Sequence, residues 1–205
     1  MVSSYPVQFD VDFPSRPLNR LSTAFRFIVA IPIVVLLTML SGDFGDSDHS
    51  TANTLAIGGA AVFVPLVLML VFRQKYPRWW FDWNLNLMRF SNRVTAYLAL
   101  LDDRYPSTDE EQSVHLDFAY PDTKQMNRWL PLVKWFLAVP HYFVLLFLGI
   151  GALAAIVIAW FAILLTGSYP RSLFAYVVGV LRWFNRVNGY AYTLVTDQYP
   201  PFSLS

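Results

Sequence analysis

Residues 129–166, WLPLVKWFLAVPHYFVLLFLGIGALAAIVIAWFAILLT, contain a single charged residue, Lys134. At ~1.5 Å rise per residue, about 20 apolar residues cross a ~30 Å hydrocarbon core. One straight helix of this length overshoots that core, whereas a tight hairpin turning at Gly149 and Gly151 gives two arms of spanning or near-spanning length. Glycine supplies turn geometry that branched residues resist. The reading adopted is the hairpin, with arms 129–148 and 151–166. Two earlier runs, 24–40 and 55–72, are of comparable character, so four spans are expected. The competing reading is a soluble protein with unusually apolar buried helices. Against it, only 14% of the 205 residues are charged, where a soluble domain carries about 25%.

Charge placement orients the chain. All 15 Lys and Arg lie before or near the start of the first run, within 73–134, or after the fourth run. The connector 41–54 has none and holds Asp43, Asp46 and Asp48. The positive-inside rule then puts both termini and the middle segment in the cytoplasm. Arg26 and Lys134 sit near span starts, within snorkelling reach of the headgroups. The N-terminus lacks the continuous apolar stretch of a secretory signal.

The two halves match in order. YPVQFDVDFP from Tyr5 corresponds to QSVHLDFAYP ending at Pro121, Asn19–Arg20 to Asn127–Arg128, and AIP ending at Pro32 to AVP ending at Pro140. YPR recurs at 76–78 and 169–171, RFSNRV at 89–94 returns as RWFNRV at 182–187, and each half closes on a Tyr–Pro pair. Self-similarity of this kind marks a duplicated unit. The expected fold is mainly α and integral to the membrane, in two tandem repeats, 1–107 and 108–205. Each repeat has a short β-strand, a transmembrane helical hairpin and an amphipathic interfacial helix, giving four transmembrane helices in all.

The strands are read from period-two alternation. Val7, Phe9, Val11 and Phe13 alternate with polar residues, as do Val114, Leu116, Phe118 and Tyr120 with His115, Asp117 and Ala119. The simplest cover for their edges is pairing with each other; a partner subunit would serve as well. Pro32 and Pro140 are expected to kink their helices.

After each YPR comes an amphipathic stretch. Leu173, Val177, Val180, Leu181, Phe184 and Val187 recur at helix spacing. Arg89, Asn92 and Arg93 in the first copy, and Arg182, Asn185 and Arg186 in the second, form a basic collar with Trp79, Trp83 and Trp183 at expected headgroup depth. These are the candidate interface or lipid-contact residues. The arginines suit bidentate binding of lipid phosphate; pairing with Asp82, Asp103 or Asp197 is the purely structural alternative. His141 follows Pro140 inside the third run and is the one candidate intramembrane functional group, with packing or capping as the competing role.

No catalytic, metal or cofactor motif is present: no zinc-protease histidine pair, Walker loop or dinucleotide fingerprint, and no cysteine. No span carries a central carboxylate, which weighs against an ion-coupled transporter. The expected function is non-enzymatic, without cofactor: a membrane scaffold or accessory subunit that binds another membrane protein or anionic lipid at the cytoplasmic interface. A homo-oligomer is the other partner arrangement, and nucleic acid is not expected. The alternative is a small channel or transporter with a path between the repeats; an intramembrane lipid enzyme ranks third, for want of a nucleophile–base cluster.

AVPH at 138–141, AWFAILLTGSYPR at 159–171, LRWFNRV at 181–187 and LVTDQYPPFSL at 194–204 together resemble the membrane family known as domain of unknown function 4389. The first half is similar more weakly, as a divergent copy, with Ile33 where the second has His141. The resemblance implies a bacterial or archaeal integral membrane protein of the cell membrane, multi-pass with both termini cytoplasmic on the charge pattern above, and carries no activity with it.

Overall fold

Two five-residue strands organise the molecule. β1 (Val7–Val11) and β2 (Val114–Phe118) each bury alternate residues, as period-two patterning requires. They pair with each other antiparallel, with Phe9 opposite Leu116 and Gln8 opposite Asp117. The computed structural model describes residues 5–40, 66–108 and 110–205. The connector 41–54 with His49, and most of the expected span 55–72, lie outside the described residues.

The rest is mainly helical. α1 (Arg20–Leu40) continues through Pro32. The chain is helical again from 66 and ends in a π-helical turn, Met69–Arg73. α2 (Arg78–Leu98) and α5 (Arg171–Ala191) are the two amphipathic helices, each capped at its start by the proline of a YPR tripeptide. α3 (Leu130–Leu137) and α4 (Val139–Thr166) are divided at Ala138, two residues before Pro140. That is the break its missing N–H favours.

The elements stack in three layers. β1 packs on α5 and β2 on α2, while α1 packs under α2 and α4 under α5. Each strand therefore rests on the amphipathic helix of the opposite half of the sequence. Val7 lies against Gly189, where a Cβ would come within 2.5 Å of the Val7 side chain. Phe13 meets Phe174 edge-on at 5.0 Å, and Tyr120 meets Phe81 at 5.2 Å. The buried faces of both strands, α2 and α5 form one apolar cluster with Ala152, Ala155, Ala159 and Ile163 of α4.

The expected hairpin in 129–166 is not formed: α4 runs unbroken through Gly149 and Gly151, joining the latter half of the first arm to the second in one helix. Its 28 residues make a rod of about 42 Å. Gly151 serves packing instead of turning. A Cβ there would lie 2.5 Å from the Tyr176 hydroxyl, and that hydroxyl donates to the Leu148 carbonyl at 3.0 Å. A Cβ on Gly149 would meet no atom within 4 Å. Two stretches, Arg20–Met39 and Leu130–Thr166, are long and apolar enough to cross a membrane, with 22% and 17% of their most apolar windows buried in the protein. A soluble core helix is mostly buried, so these surfaces face something else.

The two glycines should part company on mutation. Gly149→Ala is expected to stabilise by about 0.5–1 kcal/mol through helix propensity. Gly151→Ala displaces the Tyr176 hydroxyl and is expected to cost about 1 kcal/mol. Thermal melting in detergent reads both; a large loss from each alanine would restore the hairpin.

Candidate functional site

The doubled basic segments converge under the sheet. Asn92 on α2 and Asn185 on α5 are buried and face each other, each amide donating to the other's carbonyl oxygen at 2.8 Å. The second N–H of each returns to its own helix, Asn92 to Met88 O and Asn185 to Leu181 O. Both amides are thereby satisfied inside an apolar cluster, where an unmade bond would be costly.

One turn earlier on each helix, an arginine secures a strand edge. Arg182 donates from Nε to Phe9 O at 2.9 Å and pairs with Asp10 at 2.8 Å. Arg89 donates from Nε to Leu116 O at 2.9 Å and pairs with Asp117 at 2.6 Å. These outward carbonyls would otherwise be open ladder positions. One residue after each asparagine, Arg93 donates to Ser107 O, and Arg186 donates to Ser203 O and Ser205 O.

A second pair of matched anchors lies where α1 and α3 meet the segments after α2 and α5. Arg26 is fully buried. It donates to Tyr97 O and Asp102 O at 2.9 and 2.8 Å, pairs with Asp103, and lies 4.5 Å over the Tyr97 ring. Lys134 is equally buried; it donates to Thr196 O at 2.8 Å, pairs with Asp197 at 2.7 Å and lies 5.3 Å from the Tyr190 ring centre. Each carboxylate also accepts a backbone N–H, from Asn19 at 2.7 Å and Asn127 at 2.6 Å. Leu100 and Leu194 hold left-handed φ of 65° and 56°, turning the chain so that these aspartates reach their cations. Arg26 and Lys134 therefore do not snorkel to headgroups: their stems end at carbonyls and carboxylates inside the fold. Burial pushes the Tyr97 and Tyr190 phenols up, opposed at Tyr97 by Arg26 and reinforced at Tyr190 by Asp197.

A cleft of about 900 Å³ opens beside the sheet, with Arg89, Arg93, Arg182, Arg186, Asp10 and Asp117 among its lining residues. Two of its arginines are matched, Arg89 by Asp117 and Arg182 by Asp10. His115 faces Asp12 at 3.0 Å. Burial, then the neighbouring Arg182, push Arg186 below its ordinary value, and Tyr5 opposes them. Among the described residues, no cluster of His, Cys, Asp or Glu is placed to hold a metal.

The collar residues thus separate into two groups. Trp79 and Trp83 are exposed at 68% and 45%, as a headgroup contact requires, while Trp183 is 5% exposed and belongs to the core. Its indole N–H donates to His141 Nδ1 at 3.1 Å, leaving the proton on Nε2. The His141 ring is fully buried and stacks on Phe202 at 4.0 Å; its Nε2 meets no partner among the described residues. His141 sits at the α4–α5 seam, against Trp183 and Phe202. Arg182 and Arg89 pair with Asp10 and Asp117, and not with Asp82, Asp103 or Asp197. Asp103 and Asp197, which the sequence offers as partners of the collar, pair with Arg26 and Lys134 instead; the partners of Arg89 and Arg182, Asp117 and Asp10, are not picked out by the sequence reading, although they share one strand position.

The asparagine pair predicts asymmetric mutational costs. Asn185→Ala leaves the Asn92 amide buried without its partner and should cost about 1–3 kcal/mol. The double change to leucine should recover much of that. Melting temperatures of the two singles and the double test it; additive losses would show that the pair is not coupled.

The sequence model of a family described as "Domain of unknown function (DUF4389)" matches residues 129–203. The match takes in α3, α4, α5 and the closing segment, under half of the chain. No curated protein and no solved structure matches the chain.

Proposed function

We propose that the chain is a tandem duplication, 1–107 and 108–205, acting as a non-enzymatic membrane scaffold or accessory subunit that holds another membrane protein or anionic lipid. Contact by contact, Asn19, Arg26, Arg89, Asn92 and Asp103 have counterparts in Asn127, Lys134, Arg182, Asn185 and Asp197. The paired strands and paired asparagines lie on what would be the pseudo-two-fold axis relating the copies.

The observation that carries the scaffold reading is the division of labour between side chains. Arg89, Arg182 and the paired asparagines tie the two halves together, while α1 and α4 keep apolar faces exposed. Phe25, Ile28, Phe143, Phe147, Val157 and Phe161 are all more than half exposed. A stiff, cross-tied body with a broad apolar surface supports holding a partner in a membrane.

Extraction from native membranes in lipid nanodiscs, followed by mass measurement, tests this. The expected particle contains the chain with a second membrane protein at a fixed molar ratio or with a selected anionic lipid. The chain recovered alone in unselected lipid would contradict it.

A further inference from the structure

We infer that the protein lies flat in one leaflet of an anionic membrane, with the α1–α4 layer as its immersed floor, and that its long apolar helices do not cross. The inference rests on the membrane reading above and concerns only how the molecule is seated.

The helices and strands run alongside one another. Lys134, His141 and Leu148, seven residues apart, meet Tyr190, Trp183 and Tyr176 in turn, so α3 and the start of α4 together run antiparallel to α5 over most of its length. β1 follows α5 in the same manner, through Val7 at Gly189, Phe9 at Arg182 and Phe13 at Phe174. On the other side Arg26 meets Tyr97, and Leu116 and Tyr120 meet Arg89 and Phe81. Polarity therefore changes across the stack and not along the helices. The strands' outer positions, Gln8, Asp10, Asp12, His115 and Asp117, are all exposed and polar. Two layers below, α4 exposes Phe143, Phe147, Ile150, Leu153, Val157 and Phe161, at the three- and four-residue steps of a single face.

A helix stood upright in the bilayer would carry the neighbouring sheet into the hydrocarbon beside it, bringing three carboxylates and two strand edges with it. Charged groups at that depth are strongly disfavoured unless they face protein or water. At about 42 Å, α4 would also need more tilt than the common range to fit a ~30 Å core. Laid flat, the floor enters the acyl boundary while the sheet stays in water, the arrangement of an interfacial amphipathic surface.

The rim fits an anionic leaflet. Arg20, Arg73, Arg128 and Arg171 are exposed at helix ends. Among the described residues they take no part in the ion pairs that hold Arg26, Arg89, Lys134 and Arg182 to their aspartates. Trp79, Trp129 and Trp135 are exposed beside them, as residues at headgroup depth are.

The chain contains no cysteine, so single replacements report cleanly. Gln125→Cys, before α3, and Ser168→Cys, after α4, are exposed positions; Lys124→Cys and Ser172→Cys form a second exposed pair. Each variant is treated with a membrane-impermeant maleimide in sealed right-side-out and inverted vesicles. The expected result is that both members of a pair react in one vesicle orientation and both are protected in the other. Reaction in opposite orientations would overturn the flat seating and leave membrane residence intact. A companion flotation with phosphatidylglycerol–phosphatidylcholine vesicles separates the two ideas: a chain that stays at the bottom of the gradient overturns membrane residence itself.

Discussion

A sheet of two five-residue strands cannot stand alone, and everything else in this molecule follows from how that deficit is met. An isolated two-stranded sheet is marginal in water without an apolar layer beneath it. Here each strand comes from a different half of the chain, and the helix beneath it comes from the half that did not supply the strand. Neither half can bury its own strand face without the other. The exchange makes the two halves one body, and it explains why the basic segment is doubled: each copy secures the strand of its opposite number.

The polar interior serves the same interlock. The Asn92–Asn185 pair sits where the two amphipathic helices approach, and a reciprocal amide pair accepts one alignment of those helices and rejects slippage. The buried Arg26–Asp103 and Lys134–Asp197 anchors tie α1 and α3 to the segments that leave α2 and α5. Ion pairs of this kind are weak evidence for net stability, since desolvation offsets attraction, but removal of one partner typically costs about 3–5 kcal/mol. They fix geometry more than they add free energy.

The parts of the fold that depend on local periodicity were legible in the sequence. Alternation placed both strands, and the three- and four-residue spacing after each YPR placed α2 and α5. What could not be read were contacts between distant segments. Arg26 and Lys134 look like snorkelling residues because a stem beside an apolar run is ambiguous until its acceptor is known, and Asp103 and Asp197 lie more than 60 residues away. The predicted hairpin failed for a related reason. Gly151 permits a turn in isolation, but its lack of a Cβ is needed for Tyr176, which only the packed α4–α5 pair reveals. The sequence alone sets Trp183 beside Trp79 and Trp83 at the headgroups, because aromatic residues on a basic helix look alike until burial separates them.

The exchanged strand pairing is tested most directly by a thiol bridge across it. Gln8 and Asp117 are directly opposed and point outward, and opposed residues of an antiparallel pair lie within about 5.5 Å at Cα, inside the disulfide range of about 4.4–6.8 Å. With Gln8→Cys and Asp117→Cys in the otherwise cysteine-free chain, mild oxidation should close a bond within single chains, seen as a reducible, faster-migrating monomer. Bonds formed only between separate chains, or none at all, would contradict the interlock.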